Sequence, residues 1–259
     1  MKVISWNLLH GQPPLPEGPN SELRSIFANL DCDLLGVQEV DENQPRTDGA
    51  RQVEEIAKAS GAKDWAYARA LIGTPGGVWR KPVGDESELQ SSQSAPSYGI
   101  GMISKIAVKK WHRLDLGKAW IGMPLAVGGK KGMRLMYIKD EPRVCIIAEL
   151  ENGFTVATTH LSFVPFVNYF QLRKIQRFMA KLPGTHLLLG DLNLGWNLPE
   201  KLTPWRTLGI KNTYPSWKPA IQFDYIMSKE ELDYSQVTME KMAISDHIPL
   251  AVEIKRQVQ

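Results

Sequence analysis

Leu187-Leu188-Leu189-Gly190-Asp191-Leu192-Asn193 is the stretch that decides the reading of this chain. Three leucines run into a glycine, and a carboxylate and a carboxamide follow two residues apart. A short apolar run bounded by turn-forming residues reads as a buried strand. Alternate residues of an extended chain point the same way, so Asp191 and Asn193 project together at the strand's end. A carboxylate beside a neutral donor and acceptor suits a site that activates water and holds a phosphate oxygen. The same pair suits an Asx turn that closes the strand. This stretch alone leaves both readings open, and the other polar residues that punctuate apolar runs carry the choice.

Working outward, Asn7 ends a strand at 2–6, Glu39 follows one at 34–37, and His160 ends one at 154–159. Asp224 interrupts a strand at 221–227, and Asp246 with His247 ends one at 237–244. Each has a structural alternative: a strand cap for Asn7, a surface charge for Glu39, a satisfied core histidine for His160. Asp224 suits a bond to a backbone amide and Asp246 the N-cap of a turn. Together the structural alternatives would need six unrelated coincidences at strand ends.

The remaining pattern sets the frame. Helices are predicted over about 21–30 (N-cap Asn20 or Ser21), 50–60 and 166–181. In the last, Val167, Phe170, Leu172, Ile175, Phe178 and Met179 recur at helical spacing and Pro183-Gly184 stops the run. Further strands are predicted at 65–72, 98–104, 107–116, 144–150 and 248–254. The pair 98–104 and 107–116 reads as neighbours joined by a tight turn at Ser104-Lys105. Residues 144–150 and 154–159 pair across Glu151-Asn152-Gly153, where Asn-Gly is a hairpin signal. Residues 73–97 form a long loop that either frames a cleft or is a tolerated insertion. Gly128-Gly129-Lys130-Lys131-Gly132 reads as the solvated tip of a hairpin. Strands in adjacent pairs predict mixed sheets. With no low-complexity linker and no repeat, residues 1–259 are expected to be one domain: two sheets face to face with helices outside.

The chain has 259 residues, 43% apolar and 23% charged, with a formal net charge of +3, which is ordinary for a globular protein and only a mild lean toward anionic partners. Its two cysteines, Cys32 and Cys145, make no disulfide framework. No apolar run is long enough to span a membrane, and no signal peptide opens the chain, so a cytoplasmic location is expected.

Oxygen donors from Glu, Asp and Asn, without a Cys pair or His-x-x-x-His, select a hard cation such as Mg²⁺ or Mn²⁺. Such an ion acts as a Lewis acid at phosphoryl oxygens. No Gly-x-Ser-x-Gly elbow and no phosphate-binding Gly-Lys-Ser/Thr loop is present, which argues against serine hydrolases and P-loop enzymes.

Ser5-Trp6-Asn7, Gln38-Glu39, Thr159-His160-Leu161, Gly190-Asp191-Leu192-Asn193, Phe223-Asp224-Tyr225 and Ser245-Asp246-His247 follow one another in an order that resembles the endonuclease/exonuclease/phosphatase superfamily. This is the fold of DNase I, exonuclease III, neutral sphingomyelinases and inositol polyphosphate 5-phosphatases. The resemblance covers essentially the whole chain and implies a four-layer α/β/β/α sandwich. It further implies Glu39 as principal metal ligand with Asn7 and Asp246 nearby, and Asp191 orienting or deprotonating the attacking water. Asn193 would hold a phosphate oxygen and His160 would bind the phosphate from the other side. His247, oriented by Asp224, would stabilise the transition state or act as base. Arg143 sits where many members have a phosphate-facing arginine, and Arg46 closely follows the metal glutamate. Tyr98 lies on a matching strand in a structural position. Some nucleases carry an acidic residue two positions after the Asn7 equivalent, where this chain has Leu9.

The expected activity is therefore divalent-metal-dependent hydrolysis of a phosphoester by in-line attack of water, first as a phosphodiesterase acting on nucleic acid. Phosphomonoester or lipid-headgroup hydrolysis is the enzymatic alternative. A catalytically inert phosphate-binding module is the alternative of another class; it would have no reason to keep six costly polar groups together. The oligomeric state is not legible.

Overall fold

The computed structural model describes residues 1–12, 23–90, 94–129 and 132–255. In chain order the strands are β1 (Lys2–Asn7), β2 (Leu34–Glu42), β3 (Asp64–Gly73), β4 (Trp79–Arg80), β5 (Ser97–Ser104), β6 (Val108–Gly117), β7 (Met123–Gly129) and β8 (Gly132–Ile138). They continue with β9 (Arg143–Leu150), β10 (Phe154–His160), β11 (Thr185–Asp191), β12 (Arg206–Thr207), β13 (Asp224–Ser228), β14 (Tyr234–Val237) and β15 (Leu250–Ile254). The α-helices are α1 (Leu23–Ala28), α2 (Gln52–Ser60), α3 (Val167–Met179) and α4 (Leu198–Leu202).

Two mixed sheets form the body. One runs β14-β15-β1-β2-β5-β3-β4 and the other β12-β13-β11-β10-β9-β6, with β7-β8 as a separate hairpin. Among the described residues only β1/β2 and β10/β11 pair in parallel. Strand alternation explains the layers. Val3 packs between the sheets, whereas Ile4 and Trp6 face the layer of α1 and α2. Leu187 and Leu189 pack between the sheets, and Leu188 packs with Leu172, Ile175 and Met179 of α3. All three leucines are fully buried, each stabilising the fold by roughly 1.5–3 kcal/mol. The expected α/β/β/α sandwich is thus the architecture observed.

The same parity places the polar strand ends. Asn7 shares the side of Val3, Asp191 that of Leu187 and Leu189, His160 that of Val156, and Asp224 that of Ile226. All four point into the seam between the sheets, at one end of its apolar core. Register completes the alignment, with His160 opposite Asp191 and Asp191 opposite Asp224 across three neighbouring strands. Gly190 allows this alignment. Its φ is +145°, and a Cβ there would lie 2.0 Å from the Thr159 carbonyl oxygen.

Three expectations need correction. Residues 98–104 and 107–116 are strands but not neighbours: β5 lies between β2 and β3, while β6 edges the other sheet beside β9. Residues 105–107 carry the chain across, with the Lys105 N–H on the Asp33 carbonyl and the Val108 N–H on Asp64 Oδ2. The strand expected at 237–244 ends at Val237, so Ser245-Asp246-His247 lies on a loop. The strand expected to end before Glu39 instead continues to Glu42. The proposed caps Asn20 and Ser21 and the loop-tip residues Lys130 and Lys131 lie outside the described residues. Both cysteines are buried and free.

Candidate active site

Glu39 reaches the seam through a bulge. Leu35 and Val37 face the α1/α2 layer, so an unbroken strand would send Glu39 into that apolar layer too. The β2–β5 register slips between Gln38 and Val40, and Glu39 adopts φ +56°. A non-glycine residue in that region costs roughly 1–3 kcal/mol and persists only where packing enforces it, here the buried Val37 and Val40 on either side. The bulge brings Glu39 Oε1 to 2.9 Å from Asn7 Nδ2. The same Asn7 nitrogen donates to Asp191 Oδ2 at 3.1 Å, so one amide ties the two carboxylates together. Asn7 Oδ1 accepts from the Leu9 N–H.

The Ser-Asp-His loop is clipped to β1. Ser245 Oγ donates to the Asn7 carbonyl at 2.6 Å and accepts from the His247 N–H. Trp6 Nε1 donates to the His247 carbonyl. The imidazole is thereby held with Nδ1 2.7 Å from Asp224 Oδ2 and Nε2 3.7 Å from Asp191 Oδ2. The Tyr214 ring packs 4.9 Å from it. Burial disfavours the charged imidazole, but the carboxylates of Asp224, Asp191 and Asp246 outweigh it and lift His247 to about 10. His160 goes the other way: burial, with the nearby charges of Arg143 and His247, holds it well below the usual range and neutral. Its Nε2 accepts from Asn193 Nδ2 at 3.2 Å.

Asn193 satisfies both sequence readings. Its N–H donates to Asp191 Oδ1 at 2.9 Å, an Asx turn, and its φ of +49° takes it out of the strand. Its side chain nevertheless reaches His160 and the Leu161 carbonyl, and Asn168 Nδ2 braces its carbonyl from α3. Burial, with the Asp224 charge, raises Asp191 to about 7, against the pull of His247. Burial, with the Glu39 charge, raises Asp246 to about 6.

Asn7, Glu39, His160, Asp191, Asn193, Asp224 and His247 therefore form one connected constellation, with Asp246 beside it. The two arginines stand differently. Arg143 is buried, its Nη2 3.3 Å from Asp140 Oδ1, and it lines a small cavity with His160 and Tyr98. Arg46 is held by Asp41, with Nε and Nη2 each 2.7 Å from a carboxylate oxygen, and lies over the Tyr98 ring. Sequence reasoning missed Tyr214 and Asp140. Tyr214 lies in an aperiodic segment marked only by Tyr214-Pro215-Ser216-Trp217. Asp140, which holds the Ala119 N–H, Ser162 Oγ and Arg143, ends no apolar run.

Ligand atoms of Asp191, Asp224 and His247 lie within 4.8 Å of one another. Those three face one another rather than a cation, with His247 Nδ1 2.7 Å from Asp224 Oδ2 and Nε2 3.7 Å from Asp191 Oδ2. Glu39 and Asp246 suit one better. Both are partly exposed, both offer oxygen, and among the described residues neither has a lysine or arginine within ion-pair distance. Two carboxylates near enough that the Glu39 charge helps to raise Asp246 suit a hard cation.

The Endonuclease/Exonuclease/phosphatase family model matches residues 4–247, and the chain belongs to that family. Its members are hydrolases of phosphoester bonds that typically use divalent metals. A family protein from Bacteroides thetaiotaomicron has a similar structure, 13% identical, covering 98% of this chain and 97% of that one with a TM-score of 0.63. So does the mannosyl-6-phosphatase Bt3783 of Bacteroides thetaiotaomicron VPI-5482, 13% identical over 99% of this chain and 100% of that one, with a TM-score of 0.62. Truncated Caenorhabditis elegans TDP2 is 16% identical over 98% and 96%, with a TM-score of 0.55. At such identities the likeness shows the fold alone. No curated protein matches the sequence.

Proposed function

We propose that this protein is a divalent-metal-dependent phosphodiesterase that cleaves a P–O bond by in-line attack of water, with residues 1–259 acting as one domain. The observation that carries this reading is the convergence of Asn7, Glu39, His160, Asp191, Asn193, Asp224 and His247 from six distant segments. Asp191, raised to about 7, is a base matched to neutral pH and positions the attacking water. His247, held as an imidazolium by Asp224, offers its Nε2 proton to charge developing on the phosphoryl oxygens. Asn193 and neutral His160 grip a non-bridging oxygen, and Arg143 and Arg46 border the substrate. Glu39 and Asp246, with Asn7 beside them, would hold Mg²⁺ or Mn²⁺. When bound, the cation supplies Lewis-acid stabilisation of phosphoryl and leaving-group charge.

Nucleic acid is the first substrate reading, with exposed aromatics as its support. Phe166, Trp196 and Trp217 are 76%, 76% and 43% exposed. They stand close in sequence to His160, Asn193 and the Ser216 N–H that donates to the Asp246 carbonyl. Aromatic faces at a site's mouth stack bases of single strands. No helix among the described residues is long and apolar enough to cross a membrane, and the reduced cysteines suit a cytoplasmic location.

The test is a panel of single-stranded DNA, RNA, a phosphoinositide, sphingomyelin and small phosphomonoesters, incubated with protein and Mg²⁺ or Mn²⁺. Hydrolysis of a phosphodiester, lost in Glu39→Ala and His247→Ala, is expected. Hydrolysis of a monoester alone redirects the substrate reading, and full activity in both variants overturns the mechanism.

A further inference from the structure

The candidate site does not end at Arg143. A second cavity of about 80 Å³ lies on the far side of that residue, lined by Ala70, Lys81, Pro82, Arg113, Asp115, Gly117, Pro142 and Arg143. Ala70, Pro142 and Arg143 also line the small cavity that holds His160 and Tyr98, so the two adjoin across these residues. Register fixes the direction. β10 pairs with β9 and β9 with β6, and Gly117 of β6 is opposite Arg143. The cavity thus lies two strands along from His160, roughly 10 Å at the usual spacing between strands.

Its donors are unusual. Arg143 is 7% exposed, and its buried Nε has no acceptor among the described residues. Arg113 has a side chain 14% exposed, and its Nη1 is likewise buried without one. Both guanidinium groups are otherwise anchored. Arg113 donates through Nη2 to the Arg69 carbonyl at 2.9 Å and to Asp115, and Arg143 donates through Nη2 to Asp140. Each is held in place with a donor left over. Burying a charged donor without an acceptor is costly, and the two residues that do so here both line this one cavity. The exposed Lys81 adds a third positive charge, against Asp115 alone among the lining carboxylates. The volume is about that of two or three waters, which one tetrahedral oxyanion fills.

We propose that this cavity is an anion subsite that binds a second phosphate group of the substrate, roughly 10 Å from the scissile one, through Arg113, Lys81 and the outer side of Arg143. The proposal rests on the phosphoesterase reading above and narrows it: the substrate carries two phosphates, as a terminally phosphorylated oligonucleotide or a sugar bisphosphate does. Arg143 then stands between the two anions and is shared by them.

The experiment pairs substrates that differ only in the distal phosphate. A trinucleotide with a 5′-phosphate is compared with its 5′-hydroxyl form, because neighbouring phosphates of a strand lie too close together to span both sites, and a sugar bisphosphate is compared with the monophosphate. Full-length protein is assayed with Mg²⁺ beside Lys81→Gln and Arg113→Lys, the latter keeping a cation for Asp115. In one pair the doubly phosphorylated member is expected to show a kcat/KM about tenfold higher or more. Each variant brings that ratio toward one while hydrolysing the singly phosphorylated member at the wild-type rate. The pair that responds identifies the source of the second phosphate. Equal kcat/KM within both pairs for the wild type overturns the subsite and leaves hydrolysis standing. If no substrate is hydrolysed, the phosphoesterase reading fails instead, and calorimetric titration of inorganic phosphate decides the cavity by itself. A loss of affinity of about tenfold in the double variant supports it, and an unchanged isotherm overturns it.

Discussion

Asp246 and His247 are neighbours in the chain and belong to opposite halves of the site. On the His247 side the charged imidazole is answered within the protein: it sits between Asp224 and Asp191, and its backbone is held by Ser245 and Trp6. On the Asp246 side the Glu39 charge bears on Asp246, and among the described residues the one side-chain donor bonded to either carboxylate is Asn7 Nδ2. In the proposed mechanism the first half is self-sufficient and works as a fixed proton donor and water-positioner, and the second is incomplete without a cation. The two halves meet at Asn7, which touches Glu39 and Asp191 at once.

The largest expected effects break the self-sufficient half. Asp191→Asn and His247→Gln are each expected to lower kcat by roughly 10²–10⁴, the range for a positioned acid or base, measured by steady-state hydrolysis of a phosphodiester. Asp224→Asn removes the main charge holding the proton on His247. The imidazole, which resists titration up to about pH 10, should then titrate at lower pH when followed by NMR. An unchanged titration would mean that Asp224 does not set its charge.

The incomplete half is sharpened by adding what it lacks. Mg²⁺ at a hundred times its Kd should stabilise the protein by about 2.7 kcal/mol, a rise of roughly 5–10 °C in Tm for a chain of this size. Chelation should reverse the rise, and Glu39→Gln should abolish it. A rise that survives in Glu39→Gln would place the cation elsewhere.

A smaller effect follows from linkage. Asp191 has its folded value raised from 3.8 to about 7, so between those values the native state binds more protons than the unfolded chain. Its contribution to stability therefore falls as pH rises through that window and stays lost above it. The Tm of metal-free Asp191→Asn relative to wild type should be higher at pH 8 than at pH 4. An identical difference at both would show that Asp191 ionises normally. Smallest is the rim, where Trp196→Ala should raise KM for a single-stranded oligonucleotide about fivefold and leave kcat unchanged.

Much of the architecture was legible because a strand buried on both faces reads as a short continuous apolar run bounded by turn residues, as in Leu187–Leu189. Such runs announced Asn7, His160 and Asp191 as their polar ends, and Asp224 as a charge set inside an apolar stretch. Glu39 was legible as a residue out of place, but the bulge that turns it inward was not, since no glycine or proline marks it. Strand partners were illegible where a short connection crosses between layers, as at 105–107, because a tight turn and a crossover look alike in sequence. Tyr214 and Asp140 act through tertiary contacts that leave no periodic trace.

The account stands on the two halves acting as one catalytic unit. The most direct test is a double-mutant cycle on Mg²⁺-dependent phosphodiester hydrolysis, comparing wild type, Glu39→Gln, His247→Gln and the double variant. Groups that act as a unit are strongly non-additive. The expected result is a double variant no slower than the worse single one. Losses in kcat/KM that simply multiply, or a single variant with wild-type activity, would contradict it.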